Sequence, residues 1–248
     1  MKTAERLCDD LDEAMAAGGS GLSAADQLCH ACVELLGVDG AAISYVNAGS
    51  SSGTFGSSGE LSRRLDEYQF TFGEGPCFEA LSTNCLVVAP DLTAVAEQRW
   101  PAFGRAVIAD DVYAVFASPV VIAASPVGAL DLFRYRPGPL SPAAADAFGH
   151  AAALAAFPLL DLMTANVEWS SAGEGSTEAD WARLGSLERV EVYQATGMVM
   201  DQLDVGPGEA LARLRARAFA TNRTASALAW DVVRRVLTFD DNPSGAPR

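Results

Sequence analysis

Every run of this chain that reads as β-strand lies before residue 136, and everything after the stretch WSSAGEGSTEAD at 169–180 has only helical rhythm. That break constrains the fold more than any motif does. One sheet cannot extend across it, so the chain divides into a mixed α/β domain and an all-helical module. The Ser/Gly/Glu-rich stretch is the natural linker between them. The expected boundaries are a first domain over 1–168 with its core at about 20–160, a linker at 169–182, a helical module at 183–240 and a disordered tail at 241–248. Strands and helices in the first part do not alternate strictly. The expected class is therefore α+β, with an antiparallel sheet and flanking helices, followed by a three-helix bundle.

Within the first domain, residues 1–36 read as helical: Leu22, Ala25, Leu28, Cys29, Cys32, Leu35 and Leu36 recur at spacings of three and four, and Gly37 is a stop. AAISYV at 41–46 reads as a strand. In NAGSSSGTFGSSGE only Thr54 and Phe55 suggest a short second strand, and Gly53, Gly56 and Gly59 read as hairpin loop. LSRRLDEYQF is helical, and the glycine loop GEGP enters a short helix followed by a strand near Leu86–Ala89. Pro101 sits in the first turn of a further helix. The valine-rich VYAVFASPVVIAASPVGALDLFRY reads as two strands joined by a turn at Ala124–Pro126. Ser141 as N-cap and Pro142 at N1 open an alanine-rich helix.

The helical module has three segments. The first runs from about Trp181 to Leu203 with Val192, Ala195, Val199 and Leu203 on one stripe. Gly206 caps the second, with Pro207 at N1, Glu209 at N3 and Ala210, Leu211, Leu214 and Ala218 facing inward. Thr224 caps the third, which is expected to bury Leu228, Val232 and Val236. The formal net charge of the chain is −15, yet residues 183–239 carry eight arginines against six carboxylates. Arg213, Arg215, Arg217, Arg223, Arg234 and Arg235 concentrate on the second and third segments. A planar fork of donors suits phosphate and base edges. The same arginines also have Asp201, Glu209 and Asp231 as surface ion-pair partners.

QATGMVMDQLDVGPGEALARLRARAFATNRTASALAWDVV, at about 190–236, resembles the ANTAR domain, a three-helix RNA-binding module of bacterial transcription antiterminators. The likeness lies in the ATGMVM run, the EALARLR run and the NR…A…VV close; Gly206 departs from it, standing where a serine-like cap is more usual. Gly197 then reads as a close helix contact. Residues 20–160 are similar to GAF domains, through the order of elements and Gly73, Glu74, Gly75, Pro76 and Cys77. These resemblances imply a cytoplasmic homodimer whose GAF domain senses an unidentified small-molecule signal. Its six arginines would hold paired hairpin loops in the leader of a nascent mRNA, so that the competing terminator does not form. Residues 155–163, with Leu184 and Leu187, are the implied dimer contact. The alternative is a ligand- or redox-sensing dimerisation module that binds no RNA.

Several chemistries lack their motifs. Phe103 is followed by Gly-Arg-Ala-Val rather than the carboxylate pair of a cyclic-nucleotide GAF site, and Cys29-His30 lies before the first strand, the wrong place for a bilin. Cys29 and Cys32 have CxxC spacing without a second pair, so no zinc or other cofactor is expected, and both face inward as core cysteines. Cys77, at a helix start, is the redox candidate because a helix N-terminus lowers a thiol pKa. Only His30 and His150 are present, in no catalytic pattern, so no enzyme is expected. The N-terminal segment lacks the apolar centre of a signal peptide, and no apolar run reaches membrane-spanning length.

Overall fold

A computed structural model describes residues 2–47, 50–161 and 189–239. The chain forms two compact units, divided at residues 187 and 188. The expected linker, the tail at 241–248, the start of the first bundle helix at 181–188, and Met163, Leu184 and Leu187 of the dimer contact lie outside the described residues.

In the first unit, α1 (Ala4–Ala17) and α2 (Gly21–Leu36) replace the single helical stretch read from the sequence. Leu7 and Leu11 of α1 and Leu28, Cys29 and Cys32 of α2 point to one core, and Gly37 ends α2 in the left-handed conformation. Then follow β1 (Gly40–Asn47), β2 (Ser50–Ser57), α3 (Glu60–Phe72), α4 (Pro76–Thr83), β3 (Val87–Ala89), α5 (Pro101–Ala109), β4 (Ala114–Ile122), β5 (Ser125–Arg134) and α6 (Pro142–Leu154). The five strands pair in the order β2-β1-β5-β4-β3, every pair antiparallel.

Strand periodicity sorts the two faces. Phe116, Leu130 and Leu132 meet α1, α2 and α6, with Ile43 and Phe148 fully buried among them. Val115, Ala117 and Phe133 meet Leu65, Ala80, Phe103 and Val107 of α3, α4 and α5. Ser141 caps α6 through its hydroxyl, which accepts from the Ala144 N–H at 3.2 Å. Helical backbone resumes over 156–161 after a turn at Ala155. The stretch 142–161 is long and apolar enough to cross a membrane by length and composition. Ala144, Ala147, Phe148, Ala151 and Ala152 of it are buried in the sheet core.

Two readings of this unit are corrected. The short strand expected at Thr54 and Phe55 is the longer β2, which takes in Gly53 and Gly56 and leaves Gly59 beyond it. A Cβ at Gly56 would lie 2.8 Å from the Ala25 Cβ, so only glycine lets α2 lie on the strand. The β4–β5 turn is at Ala123 and Ala124, both with positive φ, and Ser125 and Pro126 already belong to β5. Two such residues give the twist a tight hairpin needs.

The second unit holds α7 (Val190–Leu203), α8 (Pro207–Ala220) and α9 (Ala225–Val233). Its core joins Val192, Ala195, Val199, Ala210, Leu214, Ala218, Leu228, Ala229 and Val232. Gly206 is extended ahead of Pro207, and the Thr224 hydroxyl accepts from the Ala227 N–H at 3.2 Å. Leu211 is only half-buried. Val236 is 74% exposed, because α9 stops at Val233 and Arg235 turns with φ of 59°. Phe239 fills that end of the core instead, its N–H donating to Gln202 Oε1 at 2.7 Å. Gly197 is no close contact within the unit: it is exposed, and a Cβ there would meet nothing within 4 Å.

Candidate functional site

The helical period of α8 and the ends of α9 decide where each arginine goes. Arg213 is exposed and pairs one turn back with Glu209, at 2.7 Å from Nη2 and 3.2 Å from Nε. Arg217 donates to the Thr238 carbonyl oxygen at 3.0 Å and stands 4.9 Å from the Phe239 ring centroid. Arg223 crosses from the α8–α9 turn, with Nη1 2.7 Å from Asp231 Oδ2 and Nη2 2.8 Å from the Ala227 carbonyl oxygen. Arg215 is half-buried, and its pKa is lowered by that burial and by nearby Arg189. Arg234 and Arg235 are exposed but lie past the end of α9, not on its polar side.

Two of the expected acidic partners, Glu209 and Asp231, are thus engaged. Arg213, Arg234 and Arg235 present the most accessible charge. Sequence reasoning missed Arg189, which is 3% exposed in a left-handed conformation at the start of α7 and donates to Ser226 Oγ at 3.4 Å. Its signal was present: it falls on the Val192–Thr196–Val199 stripe, where an arginine must turn its head inward or end the helix.

The sensor half has a polar interior that the sequence reading also missed. Asp66 on α3, 1% exposed, accepts from Ser44 Oγ at 2.7 Å and Thr54 Oγ1 at 2.8 Å. One turn on, Gln69 donates through Nε2 to Asp131 Oδ2 at 2.8 Å and accepts at Oε1 from the Cys77 N–H at 2.7 Å. Gly75, with φ of 143°, lets the α3–α4 loop close over this amide, since a Cβ there would fall 2.5 Å from Gln69 Oε1. Asp131 retains some exposed surface, yet its Oδ1 is sealed from solvent and makes no hydrogen bond.

Burial pushes the Asp131 carboxyl up to about 8; the Gln69 bond opposes this and Asp66 adds to it. A cavity of about 10 Å³, room for about one water, lies between Asp66, Gln69 and Asp131. The sequence clue was Asp131 itself, a lone carboxylate in the strand GALDLF, on the face it shares with Phe133.

Cys77 corrects the redox expectation. It does start α4, but its side chain is fully buried, and burial drives its thiol well above the ordinary value, with Asp131 and Asp66 adding to the rise. Desolvation outweighs the helix N-terminus. Cys29 and Cys32 are fully buried, as their spacing indicated, and burial raises the Cys32 thiol to about 12. Outside this interior, an open groove of about 650 Å³ runs past Val46, Phe78 and Trp100. Its polar walls are engaged: Glu74 accepts from the Ala102 and Phe103 N–H groups at the start of α5, and Glu79 pairs with Arg99 at 2.8 Å. Among the described residues no group of three or more His, Cys, Asp and Glu side chains is placed to hold a metal.

With both units described, comparison with known proteins defines their classes. The first unit has the GAF fold. It is similar to the GAF domain of an Acinetobacter phosphoenolpyruvate-protein phosphotransferase, at 14% identity and a TM-score of 0.53 over 67% of this chain and 99% of that one. It is likewise similar to the corresponding domain from Coxiella burnetii, at 14% identity and a TM-score of 0.52 over 68% of this chain and 97% of that one. A free methionine-R-sulfoxide reductase from Neisseria meningitidis has the same fold, at 14% identity and a TM-score of 0.50 over 65% of this chain and 93% of that one. Residues 186–233 match the ANTAR domain family, and this second unit is an ANTAR domain. The chain thus joins a unit of GAF fold to an ANTAR domain. No curated protein matches it in sequence.

Proposed function

We propose that the chain is a cytoplasmic regulator of transcription antitermination. On this reading residues 1–168 form the sensor, 169–182 the linker and 183–240 the RNA-binding module, and the active form is a homodimer presenting two bundles to two hairpin loops in a nascent mRNA leader. The observation that carries it is the ANTAR match over 186–233, in a region where residues 183–239 carry eight arginines against six carboxylates while the rest of the chain is strongly acidic. Unstacked loop bases offer faces to guanidinium groups, and the flanking phosphates take the remaining charge. The sensor's signal acts through the GAF fold by a ligand of unassigned chemistry. GAF and ANTAR domains are regulatory types, and the reductase activity of the Neisseria neighbour belongs to that protein.

Arg215, Arg217 and Arg223 are only partly exposed, so the exposed Arg213, Arg234 and Arg235 are the cleaner probes, Arg213 despite its surface pair with Glu209. The experiment purifies the full chain, sequences the RNA bound to it, and titrates a recovered hairpin at two salt concentrations. Replacing Arg213, Arg234 and Arg235 together with alanine should weaken binding and reduce the salt slope by about 1 for each phosphate that is no longer neutralised. A dimer that binds no RNA and is indifferent to salt would instead support the dimerisation module.

A further inference from the structure

Trp230 is 46% exposed on α9, although burying an indole is among the largest apolar gains a small bundle can make. It shares one helix face with Ala227, Asp231 and Arg234, at the spacings of three and four that bring side chains together. Two guanidinium groups lie along that face. Arg234 stands 5.1 Å from the indole centroid. Arg223, held on Asp231 Oδ2 and the Ala227 carbonyl oxygen, lies at the other end. Arg235, exposed, follows directly. Asp231 offsets one of these charges, so the face remains basic around an indole that Arg234 partly covers and that is still 46% exposed.

We propose that this face is a stacking platform for one unpaired nucleobase of RNA. The base lies against the exposed indole, and its neighbouring phosphates meet Arg234, Arg235 and Arg223. Any base has a π-face, so the platform selects single-stranded over paired RNA rather than one letter of sequence. Charge complementarity favours this occupant: an apolar protein surface seated on Trp230 would strip water from the guanidinium groups beside it without supplying anions. The assignment rests on the RNA-binding reading and adds to it an anchor outside the six arginines.

The test uses the full-length protein and a hairpin recovered with the wild type, beside a fully paired duplex with the same stem. Trp230→Ala should weaken hairpin binding by about tenfold or more, the loss expected when one base is deprived of its aromatic platform. Trp230→Phe should retain most of the affinity. Binding should quench the part of the tryptophan emission that the wild type has and Trp230→Phe lacks. Circular dichroism of both variants checks the fold, and Trp230→Phe keeps the test open should the alanine variant not fold. Wild-type affinity in Trp230→Ala, or fluorescence indifferent to RNA, overturns the platform while leaving the RNA-binding reading intact. A change in oligomeric mass with unchanged affinity per protomer means that a second copy covers this face, and also overturns it. Wild-type protein that binds no RNA at all overturns both readings.

Discussion

The two units build their cores from different residues. The sheet unit adds Phe55, Phe103, Phe116 and Phe148 to its buried alanines on the two faces of one sheet. The bundle encloses Ala195, Ala210, Ala218, Ala225 and Ala229 around Leu214 and Leu228, with the single ring of Phe239 at one end. A sheet covered on both sides has depth for rings. Three short helices that approach closely have room for methyl groups, and their stability depends on a few aliphatic side chains and on well-made ends. The bundle is therefore expected to melt first, and it leaves Phe219, Trp230 and Val236 exposed.

The contrast can be broken most sharply at Phe148. Phe148→Ala should cost about 3–5 kcal/mol and shift the main urea transition, because it leaves a cavity between α6 and the sheet. An equal loss of signal from the bundle at the same urea concentration would show that the two units do not unfold separately.

Next in size is the pH dependence of the sheet unit. The Asp131 carboxyl lies near 8 in the folded chain and near 4 unfolded, so the folded state holds the extra proton. Its contribution is fully favourable below about pH 4 and is lost as pH rises towards 8. Asp131→Asn keeps an acceptor for Gln69 and removes the titration; chemical denaturation between pH 5 and 8.5 should then show a flatter profile than the wild type. A slope unchanged by the substitution would place the proton elsewhere.

Thr224→Ala should cost the bundle about 1 kcal/mol through loss of the α9 cap, with no effect on the sheet transition. The smallest change has the opposite sign. Gly197→Ala should stabilise α7 by about 0.5–1 kcal/mol, read as a higher melting temperature, since the new methyl group meets open space. Stabilisation accompanied by weaker RNA binding would show that a partner approaches the helix there.

The sequence carried the fold where periodicity was unambiguous. Valine and aromatic enrichment marked β4 and β5, the AAISYV run marked β1, the Ser141–Pro142 and Thr224 caps marked two helix starts, and the all-helical end marked the bundle. It misled where glycine has two readings. Gly56 reads as a loop residue, but it is the place where α2 presses on a strand, and that pressure comes from a residue some thirty positions away. Val236 continues the apolar period of α9, yet the chain turns at Arg235 and Phe239 takes the inner position. In the candidate site the arginines were visible as a cluster, but their ties to Glu209, Asp231 and the Thr238 carbonyl oxygen depend on tertiary geometry. The Asp66–Gln69–Asp131 interior joins a helix to a strand more than sixty residues later, so no local pattern displays it.

The pairing of β1 with β5 also sets an order of events at the ribosome. Gly40 lies opposite Phe133, and Tyr45 opposite Gly128, so the middle of the sheet cannot close until most of the first unit has been synthesised. Until then the β1–β2 hairpin and α2 wait with Ile43 and Leu28 unprotected, held together only by their own short-range pairing. A nascent chain halted before Leu130 exposes a bare strand edge and an apolar face together, the combination most prone to capture by chaperones or by other chains. The bundle emerges after the sheet unit and joins neighbours close in sequence, so the segment proposed to hold the transcript has little distance to search before it folds.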